Sequence, residues 1–470
     1  MTTCIKCITA FVFFIFTKVG FAQNILSSTK QVLTFEEYLG YVKKHHPLMK
    51  QAELRLSIGE AGLLKSRGGF DPKVEVDYNR KKFKSTEYYD QLNATFKIPT
   101  WYGIEFKANF EENTGDFLDP SLTLPKGGLY SAGVSFSLAQ GFLMNKRMAS
   151  LKKARFFTQQ TKADRDLLVN NLLFEASKAY FEWLKISNEQ VIYETFITNA
   201  ATRLKAIKRS IEAGDKAAID SIEAKITLQN RRLNLETASL KRRKAALLVS
   251  NFLWLNDIPI EVQDHVYPMV PKQNILETAL LLQNITTTND IPENHPKLLS
   301  LDAKINGLTV DRALKLNKLL PKIDVQYNFL TPESDKLNTL NTTNYKASVN
   351  FSFPLFLRKE RGDLRLAKLK IQEANFERMS TSLTLKNKID AVDAEINSLV
   401  VQNKLITDII ADYKTLITSE ERKFFLGESS LFLINSREQK LIDAQLKENT
   451  LRIKRLTAKA SLYNTLGLTY

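Results

Sequence analysis

The sequence predicts two tandem structural repeats of one unit, each joining alternating β-strands to a long α-helix and a return helix. Three observations predict it. Pro72-Lys73-Val74-Glu75-Val76-Asp77-Tyr78 is rephrased 249 residues later as Pro321-Lys322-Ile323-Asp324-Val325-Gln326-Tyr327, and the same interval joins His46-Pro47 to His295-Pro296. An apolar stripe in the first half recurs 213 residues later in the same register. Several segments alternate apolar and polar residues with strict period two. Internal repetition takes precedence because it sets the architecture.

Composition limits the classes. Of 470 residues, 44% are apolar, which excludes a disordered chain, and 25% are charged, which excludes one embedded uniformly in a membrane. Residues 1–22 read as a secretory signal peptide. Lys6 is its positive end, Ile8 to Phe16 its short apolar run, and Gly20-Phe21-Ala22 its cleavage region. That run is too short to span a bilayer as a helix. Both cysteines, Cys4 and Cys7, lie within the leader, so no disulfide framework, cysteine metal site or lipid-anchoring cysteine is expected. The net charge of +16 becomes +14 without Lys6 and Lys18. Lysines and arginines spread over solvated helix faces account for it, and no run of interleaved aromatics and bases points to nucleic acid.

The first repeat is expected over 23–257. Helical periodicity begins at Leu33 with Thr34 as N-cap and Glu36 and Glu37 in the first turn. His45-His46-Pro47 should interrupt it, because proline lacks an amide donor and disfavours helix at the preceding residue. A second segment runs to Gly68-Gly69. Strands follow over about 73–138. Val74, Val76 and Tyr78 alternate with acidic and amide residues, and Tyr130, Ala132, Val134, Phe136 and Leu138 alternate with serines and glycine. Between them, Leu92 to Ile98 and Ile104 to Phe110 alternate likewise, around an aromatic turn at Trp101-Tyr102 that suits a membrane interface. Whether these two join the barrel or form an outer hairpin stays open.

A long helix is expected over 147–213 and a return helix over 216–256. The connecting segment, 258–293, carries four prolines. The second repeat, 294–470, has a helix, strands over about 322–354, a long helix over 360–426 and a return helix over 429–466. The stripe Leu172, Ala176, Ala179, Trp183, Ile186, Gln190, Tyr193, Ile197, Ala200, Leu204 matches Leu385, Ile389, Val392, Ile396, Leu399, Asn403, Ile406, Ile410, Tyr413, Ile417 member for member, including its one polar position. Steps of four and three mark a coiled-coil seam. Gly214 and Gly427 end the two stripes and permit tight turns.

Period two fits a membrane barrel with lipid outside and water inside, and equally a half-buried soluble sheet. The strands of one chain, four or six with the insertion, are too few to close a bacterial barrel, and an open sheet edge finds no partner in hydrocarbon, so if the strands lie in a membrane several chains must share one barrel.

Across essentially its whole mature length the chain resembles the TolC-like outer-membrane efflux protein family. The two copies of helix, strand pair, long helix, glycine turn and return helix carry the resemblance, with the Phe353-Pro354-Leu355-Phe356 approach to the second long helix. The resemblance implies a homotrimer in which each chain gives four strands to a 12-stranded barrel in outer-membrane lipid, continued by a periplasmic helical barrel. It also implies partners, a periplasmic adaptor protein and an inner-membrane transporter, meeting the turns at Gly214, Asp215, Gly427 and Glu428. The implied role is the passive outer-membrane channel of a tripartite efflux or type I secretion system in a Gram-negative envelope. The competing class is a periplasmic coiled-coil scaffold or adhesion protein without a channel.

The family partly closes its periplasmic end with acidic residues six and nine positions after the second glycine. Here those positions are Leu433 and Ser436, whereas the first copy has Asp220 and Glu223. A tip constriction that is less anionic and partly apolar is therefore expected, with Leu431 and Phe432 nearby or simply packing the turn. His46 and His295 are read as capping helix ends rather than as a metal pair, and Glu420-Glu421 as solvated charge. No constellation asks for catalysis, so no cofactor and no enzymatic activity are expected.

Overall fold

The computed structural model describes residues 31–283 and 294–469. The signal-peptide reading of residues 1–22 lies outside them. The chain divides into two compact units, and each takes segments from both sequence halves.

In chain order the elements begin with β1 (Gln31–Leu33), α1 (Phe35–His45) and α2 (Pro47–Arg67). The Thr34 hydroxyl accepts from the Glu37 N–H at 3.2 Å, the N-cap that the sequence predicts. The proline at 47 separates α1 from α2. Four strands follow: β2 (Lys73–Phe83), β3 (Thr86–Pro99), β4 (Ile104–Thr114) and β5 (Leu129–Ala139). Next come the long α3 (Lys146–Glu212) and its return helix α4 (Ala218–Ser250). Short elements β6 (Trp254–Leu255), β7 (Ile258–Pro259), β8 (Val266–Pro268) and α5 (Gln273–Ala279) connect to α6 (Pro296–Asn317). The chain ends with β9 (Lys322–Thr331), β10 (Tyr345–Ser352), α7 (Arg358–Phe425) and α8 (Leu431–Thr465).

One unit comprises residues 1–46, 175–283 and 396–460. Its helices pack along the predicted seam, and the stripe residues of α3 and α7 are all buried or half-buried. Phe196 of α3, Leu399, Ile406, Ile410 and Ile417 of α7, and Leu441, Ile442 and Leu451 of α8 form one cluster. The connecting segment, as far as residue 283, packs on this unit's helices. Leu276 and Leu280 are buried, Lys459 of α8 pairs with Glu277 at 2.7 Å, and the Arg242 guanidinium of α4 lies 4.8 Å from the Tyr267 ring centroid. β8 pairs in parallel with β1, a contact with no signature in either three-residue strand.

The other unit, residues 47–174, 284–395 and 461–470, holds a six-stranded antiparallel sheet in the order β10-β9-β5-β4-β3-β2. This corrects the four-strand expectation taken from the family resemblance. The segments around Leu92 and Phe106 are full strands inside the sheet, not an outer hairpin, because ten consecutive residues of β3 pair with β4. β2 and β5, read from sequence as a pair, are separated by both of them.

The registers carry apolar rows across the sheet. Val74 faces Phe96, which faces Ala108, then Ala132, Phe329 and Tyr345. A parallel row runs Ile98, Phe106, Val134, Tyr327, Ala347. The opposite face reads Lys97, Lys107, Gly133, Asn328, Lys346 in the row between. Asn145 caps α3 by accepting from the Met148 N–H at 2.8 Å, while its amide donates to the Trp101 carbonyl at 2.8 Å. One side chain thus fixes both the helix start and the aromatic turn, and Arg147 reinforces it by pairing with Glu105 at 2.6 Å.

Candidate functional site

α3 ends in a turn whose hydrogen bonds follow from glycine. Gly214 has φ +83°, its N–H donates to the Ile211 carbonyl at 3.0 Å, and the Asp215 N–H reaches the Ser210 carbonyl at 2.8 Å. α7 ends identically: Gly427 has φ +80°, with Gly427 to Phe424 at 3.1 Å and Glu428 to Lys423 at 2.9 Å. This is the Schellman pattern, which satisfies the last helical carbonyls through a left-handed residue. A Cβ at either glycine would meet nothing within 4 Å, so glycine is required for conformation, not for space.

The return helices start differently. Ser430 caps α8, its hydroxyl accepting from the Leu433 N–H at 3.3 Å. α4 has Ala217 at its N-cap with no side-chain bond. Both begin later than their expected starts at 216 and 429, because the residue before each remains in the turn. α4 also stops at Ser250, short of 256, where Trp254–Leu255 turns into β6.

Behind the turns, Leu431 packs with Ile207 and Ala224, joined by Leu204, Ile211 and Phe424. The Lys216 ammonium sits 4.0 Å from the Phe424 ring centroid and links the first turn to the end of α7. A cleft of about 640 Å³ opens here, lined by Ile207, Asp215, Lys216, Phe424 and Gly427 among others.

A buried charge cluster ties the four helices together. Glu438 of α8 is 2% exposed and accepts from Arg203 of α3 at 2.8 Å and from Arg231 of α4. Arg231 also donates to the Phe196 carbonyl at 3.1 Å, and Arg203 reaches Glu421 of α7 at 3.2 Å. Glu420 corrects the solvated-charge reading. It is 5% exposed, accepts from the Ser429 hydroxyl and pairs with Arg437 at 2.8 Å. The tight turn folds α8 back on α7 and brings in a guanidinium too distant in sequence to be paired by inspection. Arg203, Arg231 and Arg437 are residues that sequence reasoning missed, since single arginines on long basic helices carry no distinguishing signal.

Residues 288–468 match the outer membrane efflux protein family. The chain is 19% identical over 347 residues to the pyoverdine export outer membrane protein OpmQ of Pseudomonas aeruginosa, covering 72% of this chain and 70% of that one. The Campylobacter jejuni CmeC outer membrane channel superposes with a TM-score of 0.65 at 13% identity, over 92% of this chain and 85% of that one. The channel protein CusC superposes with a TM-score of 0.69 at 12% identity, over 95% of each chain. Residues 288–468 thus form an outer membrane efflux protein domain, and the chain has the fold of these outer-membrane channels.

The matched domain is that of an outer-membrane efflux component. The predicted tip residues fall into two groups. Gly214, Asp215, Gly427 and Glu428 are all exposed at the turns. Among the constriction candidates, Glu223 of α4 accepts from the Asn435 amide of α8 at 3.1 Å, which brings the two return helices together. Asp220 is half-buried in the first turn of α4, and Leu433 and Ser436 are exposed on α8. The two apolar residues beside them divide. Leu431 is 2% exposed and packs the turn, whereas Phe432 stays exposed. Phe425 at 89%, with Leu426, Ile219 and Ile222, extends this bare apolar surface over the helix ends.

His46 and His295 both stand at helix ends. His46 closes α1 through its N–H to the Val42 carbonyl, and its ring lies 5.8 Å from that of Phe252. His295 caps α6. Its Nδ1 accepts from the Lys297 N–H at 3.1 Å, which leaves Nε2 to donate to the Thr465 carbonyl at 3.2 Å. Burial holds both imidazoles below their ordinary pKa.

Proposed function

We propose that three copies of this chain close one β-barrel in outer-membrane lipid and that their helix pairs form a second tube. Solutes handed over by an inner-membrane transporter and a periplasmic adaptor would leave through it without further energy input. One observation carries this reading: the apolar face of the six-stranded sheet is uncovered. A half-buried soluble sheet would hide Val74, Val76, Phe96, Phe106, Val349 and Phe351, yet all six are exposed, Val74 at 72% and Phe351 at 68%. Water does not tolerate an apolar surface of that extent, and a bilayer requires it.

The dimensions agree. Strands of 11 residues, such as β2, β4 and β5, rise about 3.4 Å per residue, and at a tilt of about 40° they span the roughly 25 Å apolar band of an outer membrane. Tyr102, Phe142, Leu143, Leu355 and Phe356 lie exposed just beyond the strand ends, where an interfacial girdle belongs. The polar face carries lysine, serine and asparagine, suited to a wet lumen.

In the helical unit, the exposed turns at Gly214-Asp215 and Gly427-Glu428 and the bare Phe425-Leu426 surface suit adaptor contact. Leu433 with Ser436 in the second copy, and Asp220 with Glu223 in the first, would line the constriction. The test is the native mass of the mature chain extracted from outer membranes in mild detergent, followed by conductance in planar bilayers. A conducting trimer is expected. A water-soluble monomer would leave the apolar face without a partner and overturn the reading.

A further inference from the structure

The sheet ends at β2 on one side and β10 on the other. All 11 residues of β2 and all eight of β10 are exposed, and among the described residues no helix or strand covers either outer edge. β2 contains no proline, so nothing in the edge itself blocks further pairing.

We propose that the barrel is closed by β2 of one copy pairing with β10 of the next. Each chain then contributes six strands, and a trimer closes with 18 strands instead of the 12 that the family resemblance implies. This rests on the shared-barrel reading above. Three observations carry it. First, every neighbour in the sheet is antiparallel. Across six strands β2 and β10 therefore run in opposite directions, so joining them keeps the ring antiparallel throughout. Second, the pleat is in phase: Val74 of β2 and Tyr345 of β10 belong to one apolar row. A second copy can therefore continue the lipid face on one side and the polar face on the other. Third, the β2–β3 hairpin cannot be set aside as an ornament on a narrower ring. β3 is bonded to β4 along Asp90–Pro99, and peeling it off to free β4 for a neighbour would break that entire ladder.

The consequence is a wider duct. At about 4.8 Å between strands and a tilt of about 40°, 18 strands close at a mean backbone diameter of about 36 Å, against about 24 Å for 12. Eighteen strands are enough to leave an aqueous channel rather than a lumen filled by side chains.

The experiment uses the full chain, which has no cysteine after Cys7. Ser348→Cys in β10 is combined in turn with Glu75→Cys, Asp77→Cys or Asn79→Cys in β2, and in a second set with Lys107→Cys, Asn109→Cys or Glu111→Cys in β4. All lie on the polar face. Within one chain β10 stands five strand spacings from β2, about 24 Å, and three from β4, about 14 Å, so any disulfide joins neighbouring copies. After oxidation in the outer membrane, denaturing gels should show dimer and trimer bands for at least one β2 pair and none for the β4 pairs. Bonding through β4, or no intermolecular bond in either set, overturns the proposal. The native mass of the parent chain is read in parallel. A trimer bonded through β4 would sink only the six-strand seam, whereas a monomer would sink the shared barrel itself.

Discussion

Removing the Glu438 carboxylate should loosen the helix ends more than any other single charge deletion there. Its side chain is 3% exposed and lies between the guanidiniums of Arg203 and Arg231, the latter 5% exposed. Glu438→Ala would leave two cations with poor access to water, and breaking a buried pair in this way costs about 3–5 kcal/mol. At about 1.4 kcal/mol per tenfold change, local opening should become roughly a hundred to a few thousand times more frequent. Amide hydrogen exchange on the assembled protein is the assay, read over Phe196–Ile207 of α3 and Leu431–Ile442 of α8. Glu421→Ala is the control. That carboxylate is 50% exposed and pairs with Arg203 at 3.2 Å, a kind of pair worth below about 1 kcal/mol. An effect under tenfold for Glu438→Ala, or equal effects for the two variants, would refute the claim that burial makes this cluster a lock.

Three further outcomes are expected. Gly427→Ala forces a Cβ into left-handed backbone with no steric contact, so it should cost about 1–2 kcal/mol in the turn alone; exchange at Gly427 and Glu428 should accelerate while the strands stay unchanged. Leu433→Ala should raise single-channel conductance if this side chain narrows the tip, and unchanged conductance and selectivity would remove it from the constriction. Burial lowers the His295 pKa below the unfolded value of about 6.5. The unfolded chain therefore takes up the proton first, so this group's contribution is complete above about pH 6.5 and is lost as pH falls below it. His295→Asn keeps a capping acceptor but does not titrate, and it should reduce the drop in melting temperature between pH 7.5 and 5.5; an unaltered drop would show that His295 is not its source.

The sequence by itself determined whatever is local and periodic. The stripes from Leu172 to Leu204 and from Leu385 to Ile417 stated the helix seam, because burial on a helix recurs every three to four residues wherever the neighbours come from. Gly214 and Gly427 located both turns, since a left-handed residue at a helix end is a property of one position. Thr34 and Pro47 placed the start and the break of the first helices for the same reason. Alternation identified each strand, but it could not order them. Period two records which face is apolar, not which strand lies alongside, so Leu92 to Ile98 and Ile104 to Phe110 remained unassigned until the registers placed them between β2 and β5. It was likewise silent on whether the apolar face was covered, and only the structure left Val74 and Phe351 exposed. The charge cluster was the least legible feature. Glu438, Arg203 and Arg231 are ordinary residues on charged helices, and two tight turns and a return path of more than 30 residues each were needed to bring them within hydrogen-bond distance. Long-range pairing of polar groups has no period, so only the tertiary structure decided it.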